Sequence, residues 1–100
     1  MTRSEYRNNL KLSLRSMETR ITNLEARIGK ADIRGKRAVL GVLDEVKSKR
    51  DAVRTRLRRA GSATESAWKE IEQGLDGAWT ELERSYKRAR IRFASASHSH

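Results

Sequence analysis

Apolar residues in the first half of the chain form a seam. Leu10, Leu14, Met17, Ile21, Leu24, Ile28 and Ala31 follow one another at alternating steps of four and three, with mostly polar residues between them. That spacing keeps one face of a helix apolar and is the heptad pattern of a helix packed along another. From Ala31 the steps lengthen to four, through Gly35, Val39 and Leu43, before the heptad resumes at Val46, Arg50, Val53, Leu57 and Ala60. An added step of four is a stutter, which unwinds a coiled coil locally without ending the helix. Thr2, with Glu5 three residues on, has the spacing of a capping box and starts the helix near Arg3. Two readings follow: one long helix over about residues 3–60, or a break near Gly29 to Asp32 that gives a three-helix bundle. Gly29, Gly35 and Gly41 each cost roughly 1 kcal/mol against Ala inside a helix and are its weak point. Asp32 has Gly35 at its third following position, so no capping box supports a break, and the seam keeps its phase. The continuous helix is the preferred reading.

The second half carries a repeat. Ala67, Trp68, Glu70, Ile71, Glu72 and Leu75 recur eleven residues later as Ala78, Trp79, Glu81, Leu82, Glu83 and Tyr86, and Ala89 opens a degenerate third copy. Eleven residues make three helical turns with little drift, so Trp68, Ile71, Leu75, Trp79, Leu82, Tyr86, Ala89 and Phe93 share one face. Gly61 stands where a helix ends, and Ser62 with Glu65 forms a second capping box. The expected fold is therefore an all-α antiparallel helical hairpin, or coiled coil. Its long helix over about 3–60 turns at Gly61 and Ser62 into a second helix over about 63–93. Residues 1–93 form the single domain, and residues 94–100 read as a disordered tail.

Charge supports the reversal. Lys47, Lys49, Arg50, Arg54, Arg56, Arg58 and Arg59 precede the turn against the single acid Asp51, while Glu65, Glu70, Glu72, Asp76, Glu81 and Glu83 follow it against the single base Lys69. Exposed ion pairs are worth about 0.2 to 1 kcal/mol each, so they set register more than they stabilise. Farther from the turn both strips are basic: Arg84, Lys87, Arg88, Arg90 and Arg92 lie opposite Lys30, Arg34, Lys36 and Arg37. Such a patch fits a polyanion, either nucleic acid or an anionic lipid surface, bound without sequence readout.

A first helix of roughly 85 Å would overhang the second and leave Leu10, Leu14, Met17, Ile21, Leu24 and Ile28 uncovered. A continuous apolar stripe of that kind marks an interface, so a homodimer or higher homo-oligomer is expected. The tryptophan face has two readings, as the core of a bundle or as an amphipathic helix lying on a membrane surface.

Composition narrows the chemistry. The 100 residues carry a formal charge of +10 and contain neither Cys nor Pro. Disulfide and thiol chemistry are thereby excluded, and a helical fold is favoured. No apolar run is long enough to span a bilayer, and the N-terminus leads into no signal-like segment, which points to a cytoplasmic protein. The two histidines, His98 and His100, stand in the tail and make no metal site by themselves. No nucleophile-and-base pair or phosphate-cradling loop can be assembled, so neither catalysis nor a cofactor or small-molecule substrate is expected.

Ala67-Trp68, Ile71, Gly74-Leu75, Ala78-Trp79 and Leu82, preceded by a long charged helix and ending near Arg92-Phe93, resemble the small bacterial coiled-coil stress-response proteins, whose molecular activity is not established. The resemblance rests mainly on residues 62–93 and departs from the family in the arginine-rich first part. It implies a cytosolic, non-enzymatic helical protein associated with stress. The functional expectation is thus a self-associating coiled-coil protein of structural or protective role. The alternative is a peripheral binder of anionic lipid or nucleic acid.

Overall fold

The computed structural model of the chain describes residues 1–98; Ser99 and His100, the end of the expected tail, lie outside them. Thr2 accepts a hydrogen bond on Oγ1 from the Glu5 N–H at 3.1 Å, as the capping spacing requires. The chain becomes helical at Arg3, and α1 spans Arg3–Lys30. Two more helices follow, α2 over Lys36–Ala60 and α3 over Glu65–His98. The described residues are all-helical, without strands.

The continuous first helix is therefore corrected. At Ala31 the backbone becomes extended (φ −77°, ψ 141°), and its N–H closes α1 on the carbonyls of Arg27 and Ile28 at 3.1 and 3.2 Å. Gly35 adopts the left-handed conformation (φ 70°, ψ 25°), open to glycine at no steric cost, and turns the chain into α2. No side chain caps α2, whose N-cap is Gly35 and not Asp32, so the absence of a capping box at Asp32 did not argue against the break. What it could not reveal is the competing term. A lost cap costs about 1 kcal/mol. Each large apolar side chain fully buried contributes about 1.5–3 kcal/mol, and the reversal buries Leu14, Met17, Ile21, Leu24 and Ile28 within one chain. Burial decides.

The other turn is also corrected in detail. Ser62 does not start a helix; its hydroxyl donates back to the Arg59 carbonyl at 3.3 Å, and α3 begins at Glu65. Gly61 is right-handed (φ −64°, ψ −27°), so its small size serves space and not handedness. A Cβ there would come within 2.9 Å of Arg7 Nη2.

The three helices lie side by side. The molecule measures 54 × 18 × 17 Å, about the length of the 34-residue α3 at 1.5 Å per residue. α2 runs antiparallel to both neighbours. Val39, Leu43, Val46, Val53, Leu57 and Ala60 form its buried face, and Arg50, the polar member of the predicted seam, is partly exposed and pairs with Asp51 at 3.1 Å. α3 presents two strips. Leu75, Leu82, Ser85 and Ala89 are buried, the last two being small residues that let helices approach closely. The aromatic strip reaches α1: Trp68 meets Tyr6 edge-on with ring centroids 5.6 Å apart, and Phe93 lies under the Arg27 guanidinium at 5.4 Å.

The tail expectation is corrected as well, since α3 continues five residues beyond Phe93 to His98. Ala and Ser do not stop a helix when its inner face has something to cover. Ala96 packs against the core, and the Ser97 hydroxyl donates to the Phe93 carbonyl at 3.0 Å.

Candidate anion-binding surfaces

Both apolar stripes predicted as interaction surfaces are consumed by the fold. Leu14, Met17, Ile21, Leu24 and Ile28 are buried, and Leu10 is half-buried against the same core. On α3, Leu75, Leu82 and Phe93 are buried, while Trp68, Ile71, Trp79 and Tyr86 are half-buried and packed on that core. Because α1 folds back, the overhang that motivated a second copy does not exist. The exposed large apolar side chains among the described residues are Met1, Leu12 and Ile91, which are scattered along the chain.

Charge remains at the surface, but in a different register from the one expected. Arg3 donates to the carbonyls of Ala60, at 3.0 Å, and Ala63, and its guanidinium stands 5.0 Å over the Trp68 ring. This anchor brings Trp68 level with Ala60, whereas a symmetric hairpin would have set it opposite Thr55. The pairing of α2 with α3 is displaced in the same sense, by about one and a half to three helical turns. Lys49 meets Glu81 at 3.2 Å and Arg88 meets Glu45 at 3.3 Å. Lys49 with Glu81 is a pair of the predicted sense, whereas Arg88, expected opposite other bases, meets an acid of α2. Two bases of α2 pair instead with α1, Lys47 with Glu25 and Arg54 with Glu18, the latter at 2.6 Å.

The predicted basic patch is divided as a result. Arg34 and Arg92 come together, lining a recess of about 260 Å³ with Gly35, Val39 and Ala96. Arg90 lies in a neighbouring recess of about 400 Å³ beside Phe93, together with Arg27, which the sequence reading did not include. Lys36 is engaged, its Nζ donating to the Gly29 carbonyl at 3.1 Å, and Arg88 is taken by Glu45. Lys30, Arg37, Arg84 and Lys87 are exposed.

A second basic surface was missed. Between α1 and α2 runs a cleft of about 410 Å³ lined by Arg7, Lys11, Arg15, Arg54 and Arg58, with Leu14, Leu57 and Glu18. Arg7, Lys11 and Arg15 recur every fourth residue, as do Arg54 and Arg58, so each row lies along one helix edge. Glu18 is the cleft's single carboxylate and is taken by Arg54. Among the described residues no carboxylate is within ion-pair distance of Arg7, Lys11, Arg15 or Arg58. The Nε of Arg7 is shut from water without an acceptor, an unsatisfied donor of a kind rare in folded proteins. The fourfold spacing was visible in the sequence, but a continuous first helix sets residues 7–15 far from residues 54–58.

At the cleft-to-turn end the other titratable feature is Tyr6, whose hydroxyl donates to the Asp76 carboxylate. Burial, that hydrogen bond and the negative charges of Asp76 and Glu72 raise its phenol above the usual range. The contact ties α1 to α3 and is structural. Among the described residues no three His, Asp or Glu side chains come together as a metal-binding group, and no helix is long and apolar enough to cross a membrane. No family model matches the chain, and no curated protein and no solved structure is detectably similar to it.

Proposed function

We propose that this is a non-enzymatic three-helix bundle, acting as a single chain, that binds nucleic acid through phosphate contacts and without reading bases. The observation that carries this is the cleft between α1 and α2, where four cations have no carboxylate partner on a chain of charge +10. Lys and Arg that neutralise phosphates release condensed counterions, which supplies affinity independent of sequence. On the sequence alone, polyanion binding stands second to self-association. It moves ahead because the stripe from Leu10 to Ile28 is covered by the chain itself. An anionic lipid surface fits less well, because membrane-surface helices insert an apolar face and the tryptophan face of α3 is packed inward. A protective role under stress, implied by the resemblance over residues 62–93, accords with coating nucleic acid.

The test is fluorescence anisotropy with two labelled duplexes of unrelated sequence. Equal affinity for both is expected, falling by about 150-fold between 50 and 200 mM salt for four phosphate contacts. Absence of binding, or binding indifferent to salt, would overturn the proposal.

A further inference from the structure

Resting on that reading, we infer that the cleft between α1 and α2 is the seat of one phosphate strand of a duplex, and that the basic end near Arg34, Arg90 and Arg92 is secondary to it. Three observations select the cleft. Its cations stand on both walls, Arg7, Lys11 and Arg15 on α1 facing Arg54 and Arg58 on α2, so an extended chain of phosphates is flanked on two sides. At 1.5 Å per residue, successive cations of the α1 row are about 6 Å apart along the helix, a continuous rail and not a point site. Among the described residues Arg7, Lys11 and Arg15 have no carboxylate within ion-pair distance, so the whole row is available to phosphate oxygens. At the opposite end Lys36 and Arg88 have acceptors, as Arg54 does in the cleft, but Arg34 and Arg92 line one recess and Arg90 another, so they form no single row.

The lining also selects the form of the nucleic acid. Proteins that hold single strands stack bases on aromatic rings set among the cations. The cleft has none, its floor being Leu14 and Leu57. Tyr6, Trp68, Trp79, Tyr86 and Phe93 are all packed on the core. Stacked, paired bases need no such platform, and their phosphates remain accessible. A lipid surface is disfavoured for a matching reason: Leu14 and Leu57 are each 5% exposed and offer nothing to insert.

Two triple variants of equal charge change separate the surfaces: Arg7→Gln/Lys11→Gln/Arg15→Gln in the cleft and Arg34→Gln/Arg90→Gln/Arg92→Gln at the other end. Binding of each full-length protein to a labelled duplex is measured against salt, with an unlabelled single strand as competitor, and folding is checked by circular dichroism. The cleft triple is expected to bind about tenfold more weakly than the other triple, with its log–log salt slope reduced by about 2.7. Should the triple fail to fold, Lys11→Gln/Arg15→Gln, both exposed positions, gives the same comparison with a slope change of about 1.8. Equal losses from both triples, a greater loss from the Arg34 set, or preference for the single strand would overturn the cleft assignment and leave nucleic-acid binding standing. Wild-type protein that ignores the duplex, or binds only anionic vesicles, would overturn both.

Discussion

Tyr6 and Arg3 hold the start of α1 against the rest of the molecule, each through polar and aromatic contacts. Tyr6 packs its ring edge on Trp68 and donates to Asp76, while Arg3 closes the end of α2 and covers the same tryptophan. Replacing Tyr6 by Phe keeps the ring contact and removes the donor, and should cost about 1 kcal/mol in urea unfolding at neutral pH. The pH dependence has a definite sign. The native phenol holds its proton more tightly than an unfolded tyrosine of pKa 10.0, so its stabilisation is complete below pH 10 and declines as pH rises beyond it. Tyr6→Phe should therefore unfold less steeply with pH above 10 than the wild type, and parallel curves would show that the Tyr6–Asp76 contact is not formed. At this scale the sequence displayed the residues but not their partners, since Tyr6 and Asp76 are separated by 70 positions and no local pattern joins them.

At the scale of helices, the glycines divide by conformation. Gly35 alone has positive φ, and any side chain there is strained in the left-handed region; Gly35→Ala should destabilise by about 1–2 kcal/mol. Gly41 and Gly77 lie within α2 and α3, and a Cβ at either would meet open space. Gly41→Ala and Gly77→Ala should each stabilise by up to about 1 kcal/mol, raising the thermal midpoint. Under the continuous-helix reading Gly35→Ala would have stabilised as well, so the sign of that one variant separates the two architectures. Helix existence, the Thr2 cap and the end of α2 at Ala60 were legible from spacing, because they depend on neighbours within a turn or two. The break at 31–35 was not, because the energy that drives it comes from residues on both helices meeting after the turn. The end of α3 escaped for a related reason: Ala94 to Ser97 have no pattern of their own, and Ala96 is held by the core it covers.

For the whole molecule the consequence is that the seam of α1 is a core. Ile21, 1% exposed, should give an unfolded chain when changed to Glu, since a carboxylate buried without a partner is costly. Sedimentation of the wild type should give one chain, and Ile21→Glu should abolish the far-ultraviolet helical signal; a folded monomer released from an oligomer would instead mean that the seam joins two copies. Trp68 and Trp79, half-buried against the core, should emit blue of free tryptophan and stay unchanged when anionic vesicles are added.

The sequence by itself determined the all-helical class, the apolar face of each helix and the surplus of positive charge, all of which follow from local periodicity and composition. It also displayed the segregation of charge on either side of Gly61, of which one cross-helix pair of that sense, Lys49 with Glu81, is formed. Only the tertiary structure decided the number of helices, the register of α3 on α2 and the cleft between α1 and α2. The physical reason is common to the three. Each depends on where α1 lies, and α1 lies where its apolar face is best buried, a sum over contacts between residues far apart in the chain. The candidate site moved with it: Arg7, Lys11 and Arg15 became one wall of a cleft only when α1 folded back along Arg54 and Arg58.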